Sequence, residues 1–131
     1  MNSLELLDEY ARQIEIDTQV DITNIMEKQL SAPGVKHKWL YKLTQSKKDL
    51  LRLIELKDSI MEKAIEANKI DLPITKIKAA IEKSSEVKEL NKKIKEQELL
   101  VEYLDKCVDK IFSQMGFDFK NIVELMKMEQ L

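Results

Sequence analysis

The sequence predicts an all-α fold built from elongated helices. Charged residues make up 35% of the chain and hydrophobic residues 44%, with two Gly and two Pro in 131 residues. Leu, Ile, Glu and Lys dominate, and the regular turn punctuation of short strands is missing. Apolar residues instead recur at steps of three and four along most of the chain, the period of a helix face. The length suits one continuous domain, or part of a fold completed by neighbouring copies. Within it, residues 1–72 form an N-terminal helical part with the basic charge, and residues 73–131 a C-terminal helical part with the strongest association pattern.

The elements follow in order. Leu4, Leu7, Tyr10, Ala11 and Ile14 predict a short amphipathic helix over residues 3–14. The segment IEIDTQVDI breaks that period and offers Asp17, Thr18 and Asp21 as caps for a following helix. Ile22, Ile25, Met26 and Leu30 line this second helix, which SAPG at residues 31–34 is expected to end. A third helix runs from about Val35 to Asn68, free of Gly and Pro, with Leu40, Leu43, Leu50, Ile54, Met61 and Ile65 recurring along it. Pro73 marks a boundary, since proline disfavours helix at the residue before it and suits a first turn. A short helix from Ile74 to about Lys83 follows, with Ser84 and Ser85 as the next joint.

The clearest pattern comes last. Val87, Leu90, Ile94, Gln97, Val101, Leu104, Val108, Ile111 and Met115 fall at alternating steps of three and four, a heptad seam with one polar intrusion at Gln97. Leu100, Cys107 and Phe112 widen the stripe toward a bundle or ring interface. Gly116 is expected to end the helix in a left-handed conformation with Phe117 packed behind it, and Asp118 to cap a final helix. Val101, Leu104, Val108, Ile111, Met115, Ile122, Leu125 and Met126 are the candidate oligomerisation residues. A compact monomeric bundle is the alternative, but rods of this length leave one side wet unless copies associate.

Charge is unevenly spread. The total is −2, yet residues 36–63 hold eight Lys or Arg against four Asp or Glu, whereas residues 1–30 hold two against seven. Screening over about 8 Å at physiological salt lets the basic stretch act separately from the acidic start. With Trp39 and Tyr41 in KHKWLYK, this is a surface type that holds single-stranded nucleic acid, lysines meeting phosphates and flat rings meeting bases. The alternative is a solvated helix whose Trp is buried. Lys42, Lys47, Lys48, Arg52, Lys57 and Lys63 are the candidate phosphate contacts, chosen by clustering.

Other chemistry is poorly supported. His37 is the single histidine and lies on a lysine-rich helix, no nucleophile elbow is present, and Cys107 has no paired ligand. There is no GxxxxGK[ST] loop to cradle a phosphate. The expectation is a non-enzyme with no cofactor and no metal. The longest apolar run, Leu99 to Val101, is far below the roughly 20 residues that cross a bilayer, and the acidic N-terminus is unlike a signal peptide. One cysteine fits a reducing compartment, so a cytoplasmic location is expected, that of a host cell given the resemblance below.

Three motifs add a resemblance: IDTQV at Ile16 to Val20; the KWL of Lys38 to Leu40 followed by Lys42 and the pair Lys47 and Lys48; and DKCVDKIFSQMGFDFKNIVELMKMEQ from Asp105 to Gln130. Together and in order they make the chain similar, over nearly its full length, to the UvsY family of recombination mediators from T-even-type phages. The resemblance implies a hexameric or heptameric helical ring closed by C-terminal helices. It also implies binding of single-stranded DNA, weakening of the hold of the phage single-strand binding protein, and assistance to a RecA-like recombinase. One departure stands out. Ungapped alignment on KWL places Glu62 and Ala64 where the family carries a DNA-contacting Lys and Arg. Two other readings remain open: a coiled-coil adaptor binding protein through its acidic N-terminus, and an architectural protein for duplex DNA, for which no helix-turn-helix or basic zipper is evident.

Overall fold

In a computed structural model, described here for residues 1–130, helix α1 spans Ser3–Thr18 and helix α2 spans Ile25–Asn68. Helices α3, Ile74–Glu82, and α4, Ser85–Lys106, follow; a π-helical turn, Cys107–Ile111, then leads directly into α5, Phe112–Glu129. No strand occurs among the described residues.

The first helix begins with a reciprocal cap. The Asn2 side chain accepts from the Glu5 amide at 2.8 Å, satisfying one free amide of the helix start, and donates to the Glu5 carboxylate at 3.1 Å, which holds the cap in place. The helix continues past the expected Ile14 to Thr18, whose hydroxyl donates to the Ile14 carbonyl at 2.7 Å and so fits within the last turn. None of the three expected caps holds the start of α2, whose N-cap is Asn24 without a side-chain bond; Asp21 closes the turn before it, its carboxylate accepting from the amides of Thr23 at 2.8 Å and Asn24 at 3.1 Å. Asp17 serves another helix entirely, as described below.

The 44-residue α2 is about 66 Å long at 1.5 Å per residue. It runs straight through SAPG, which corrects the expected break at residues 31–34. Pro33 lacks an N–H and leaves the Gln29 carbonyl without its helical partner, but Gln29 is exposed and water can supply the bond. Buried Ile25 and Ala32 on one side of the proline, and Trp39 and Leu43 on the other, hold the two expected helices as one. Tertiary packing here outweighs propensity, the usual source of helix stability in proteins.

The chain turns at Pro73 and returns antiparallel along α2. Lys57 pairs with Glu82, Ser46 faces Gln97, and Ala32 shares a groove with Met115, so higher positions on α2 meet lower ones on the return limb. Ser84 joins α3 to α4: its hydroxyl donates to the Ile81 carbonyl at 2.6 Å and accepts from the Val87 amide at 3.3 Å. α1 packs against the first half of α2 and against α4. The core sits at that three-way junction, formed by Ile14, Trp39, Leu43, Leu100, Leu104, Cys107, Phe112 and Met115.

Gln97, the polar intrusion in the seam, is a deliberate clasp. It is 95% buried, its amide donates to the Ser46 carbonyl at 2.8 Å, and its oxygen accepts from the Ser3 hydroxyl at 2.7 Å. One side chain therefore ties α4 to both α2 and α1, and no buried side-chain nitrogen or oxygen among the described residues is left without a partner.

The C-terminal half departs from the sequence expectation at two linked places. First, the Phe112 amide bonds to the Cys107 carbonyl, a five-residue spacing that admits one extra residue into the helix. Residues beyond it are rotated by about 100° relative to an unbroken heptad. The buried series therefore runs Leu104, Cys107, Phe112, Met115, while Ile111 is turned out to 38% exposure. Second, Gly116 lies inside α5 with negative φ and does not end a helix; Phe117 is 63% exposed, and Asp118 lies mid-helix instead of capping. The extra residue has already re-aimed the helix, so no second break is needed to keep α5 against the start of α2.

Two predictions follow from this architecture. A Cβ at Gly34 or Gly116 meets nothing within 4 Å, so Gly34→Ala and Gly116→Ala are each expected to stabilise by about 0.5–1 kcal/mol in urea unfolding, as for a glycine in helix interior. A left-handed Gly116 would give the opposite sign. Near the π turn, burial and contact with the Cys107 thiol push the Tyr103 phenol up to about 12 from an ordinary 10.0. A raised folded value stabilises fully below the unfolded value and loses that contribution as pH rises. Unfolding at increasing pH should therefore show a decline between about 10 and 12 that is smaller in Tyr103→Phe.

Candidate nucleic-acid interface

The candidate interface is organised around Trp39, which has no exposed surface. Its indole N–H donates to the Asp17 carboxylate at 2.8 Å, and the Tyr10 ring packs on it in a T-shaped pair, with ring centres 5.3 Å apart and planes at 81°. Lys38 adds a 3.3 Å ion pair to the same Asp17. The aromatic pair read from KHKWLYK thus separates into two roles: Trp39 is interior, and Tyr41, two residues on, is 58% exposed.

Between α1 and α2 lies an open groove of about 500 Å³, walled by Leu6 and Tyr10 on one side and by His37, Lys38, Tyr41, Lys42, Gln45, Ser46 and Asp49 on the other. His37, Tyr41 and Gln45 recur every four residues, so they stack along one face of α2. The Gln45 amide donates to the Tyr41 hydroxyl at 2.8 Å and pins that ring. The Lys42 ammonium stands 4.8 Å from the Tyr10 ring centre and 5.7 Å from that of Trp39, held by both ring faces. Burial, with the Asp49 charge adding to it, raises the Tyr10 phenol above its ordinary range, so it stays neutral there.

The six candidate basic residues do not share one face. Lys48 and Arg52, four apart, project outward beside the groove; Arg52 is 3.1 Å from Asp49, and Lys48 is in no ion pair among the described residues. Lys42 lies inside the groove. Lys47 is on the other flank of α2, in a long 3.9 Å pair with Asp105 of α4. Lys57 lies about five full turns beyond Trp39 and so faces the same way, inward; it is half-buried and 3.2 Å from Glu82. Lys63 is exposed but stands apart, beside exposed Glu62 and Glu66. Clustering in sequence missed this division because a helix turns about 100° per residue. Tyr10 was missed because it comes from another helix, whereas the spacing of His37, Tyr41 and Gln45 could have revealed the α2 wall.

The candidate oligomerisation residues divide in a similar way. Leu104 and Met115 belong to the chain's own core and are unavailable to another copy; Val101, Val108, Ile122 and Met126 are half-buried. Ile111 and Leu125 are exposed, at 38% and 54%. The π turn is the physical reason that the inner and outer positions exchange. Further exposed apolar side chains lie just before and along the start of α2, at Ile22, Met26 and Leu30, and at the end of α5, at Met128. Glu62 is exposed and Ala64 half-buried, so neither offers a cation where the family alignment places one.

With this geometry established, comparison with solved structures gives a specific result. A crystal structure of the bacteriophage T4 recombination mediator protein UvsY superposes with a TM-score of 0.79, covering 94% of this chain and 98% of that one at 18% identity. The fold is that of UvsY. A second crystal lattice of the same T4 protein gives a TM-score of 0.75, with 95% and 97% coverage at 15% identity. No family model and no curated protein sequence matches the chain. The likeness to UvsY therefore lies in the arrangement of helices far more than in residue identity. No helix among the described residues is long and apolar enough to cross a membrane, and no group of His, Cys, Asp or Glu among them could hold a metal ion.

The bond between Trp39 and Asp17 is open to direct measurement. Asp17→Ala strands a buried indole N–H, and a cost of about 1–3 kcal/mol is expected in urea unfolding followed by Trp39 fluorescence.

Proposed function

We propose that the chain is a non-enzymatic recombination mediator that binds single-stranded DNA as a homo-oligomer. The observation that carries this reading is the shared fold, end to end, with the T4 recombination mediator UvsY. The groove between α1 and α2 supports it, with a cation held over aromatic rings and Lys48 and Arg52 at its rim. The proposed partners are single-stranded DNA, a RecA-like recombinase and a phage single-strand binding protein, in the cytoplasm of a phage-infected host.

A hexamer or heptamer suits the modest charge of one copy. Each subunit offers only a short basic rim, so one copy holds a strand weakly; linked copies raise the effective concentration of the next site along the same strand. Exposed apolar residues at the start of α2 and the end of α5 supply the surface by which copies associate, in place of the buried Leu104 and Met115.

Labelled oligo-dT tests the reading. Affinity should fall steeply with salt, each phosphate contact adding about −0.7 to the log–log slope for a single strand. Lys48→Glu with Arg52→Glu should weaken binding at least about tenfold and flatten that slope while leaving the oligomer intact. Absence of binding at low salt, or equal competition by duplex DNA, would overturn it. Leu125→Glu with Met128→Glu should lower the sedimentation coefficient without loss of helicity, whereas Leu104→Glu should unfold the chain. Unchanged sedimentation of the double variant would remove that surface from the assembly.

A further inference from the structure

We propose that the groove between α1 and α2 is a subsite for one unpaired nucleobase, with Tyr41 as the stacking platform and Lys42 as the cation beside it. This rests on the single-stranded DNA reading above and adds to it a residue that distinguishes an unstacked base from a duplex. Among the aromatic rings of the groove, Tyr41 is the one that is both exposed and pinned, by Gln45 at 2.8 Å. Its ring is available to a ligand at little cost in ordering. Tyr10 is fixed in a T-shaped pair with Trp39, and its face carries the Lys42 ammonium at 4.8 Å. Positive charge is thereby delivered into an aromatic-walled space without a carboxylate pairing it among the described residues.

Beyond Lys42 the charge pattern disfavours the backbone as the occupant. Asp49 lines the far end of the groove, where it repels a phosphate, and Arg52 only partly offsets it from 3.1 Å. Lys48 and Arg52 lie outside on the rim. A strand whose phosphates follow Lys48 and Arg52 turns one base inward onto Tyr41, with His37 one turn before it. The groove volume, about 500 Å³, lies in the roughly 300–1,000 Å³ range of small-molecule sites and has room for a flat ring. Base stacking on an aromatic side chain is tolerant of sequence because every base has a π face. A duplex keeps its bases stacked inside and presents none to Tyr41.

The test uses the full chain, Tyr41→Ala and Tyr41→Phe, and two labelled strands of equal length: oligo-dT and the same backbone with abasic sites. Wild type and Tyr41→Phe should prefer oligo-dT, and Tyr41→Ala should lose about tenfold or more of oligo-dT affinity with its salt slope unchanged, since no phosphate contact is removed. Photocrosslinking of a strand carrying 5-iodouracil should mark the peptide containing Tyr41. Equal binding of oligo-dT and abasic strand by wild type overturns the proposal whether or not Tyr41→Ala folds. So does undiminished oligo-dT binding by Tyr41→Ala; if Lys48→Glu with Arg52→Glu still weakens binding, the function proposed above survives that result. Absence of any oligo-dT binding by wild type removes both.

Discussion

Trp39 carries its indole into the place where α1, α2 and the return limb meet, and it is the largest fully buried side chain among the described residues. It is fully buried, bonded through its N–H to Asp17 at 2.8 Å and packed against Tyr10 in a T-shaped pair. Fully burying an aromatic ring of this size is among the largest single contributions available to a small helical domain. The Asp17 bond makes that burial directional: α1 is held at one angle and one height against α2. Leu104, Cys107, Phe112 and Met115 then close the other side of the same core. The groove that takes part in the proposed function is a by-product of this anchor, because its α1 wall includes Tyr10, which packs on Trp39, and its α2 wall is built from the residues flanking Trp39.

Two devices keep the long helices in register against that anchor. Gln97 fixes their height by bonding α1 and α2 at once. The π turn fixes rotation, taking up one residue so that Phe112 points inward where a plain heptad would have pointed Ile111. An apolar contact alone would allow the helices to slide, since burial depends on area and hardly on direction. The polar bond and the extra residue together restrict both sliding and rolling.

The all-α class, the α2–α3 boundary at Pro73, the Ser84 joint and the heptad before Cys107 were legible because local chemistry and the tertiary fold agree there. Disagreement begins where packing overrides a local signal. Pro33 and Gly34 read as a stop, yet buried residues on both sides make a single helix. Gly116 read as a left-handed end, yet it sits in an ordinary helical turn. A π turn has no residue signature, so the exchange of Ile111 for Phe112 could not be foreseen from spacing. In the candidate interface, the positive charge of α2 was legible in bulk, but its faces were not: Lys57 points inward and Lys47 toward α4, and of the two aromatic rings Tyr41 is exposed while Trp39 is buried.

Beyond Ser46, α2 buries no residue completely over about its last six turns. The far end is held by Ile77, Val87 and Leu90 from the return limb, and Ile70 at its tip is 91% exposed. A molecule built in this way is stiff at one end and compliant at the other, since free energy of local opening follows the density of buried apolar contacts. Local opening is expected to start in the far limb and to leave the end around Trp39, with its groove, in place.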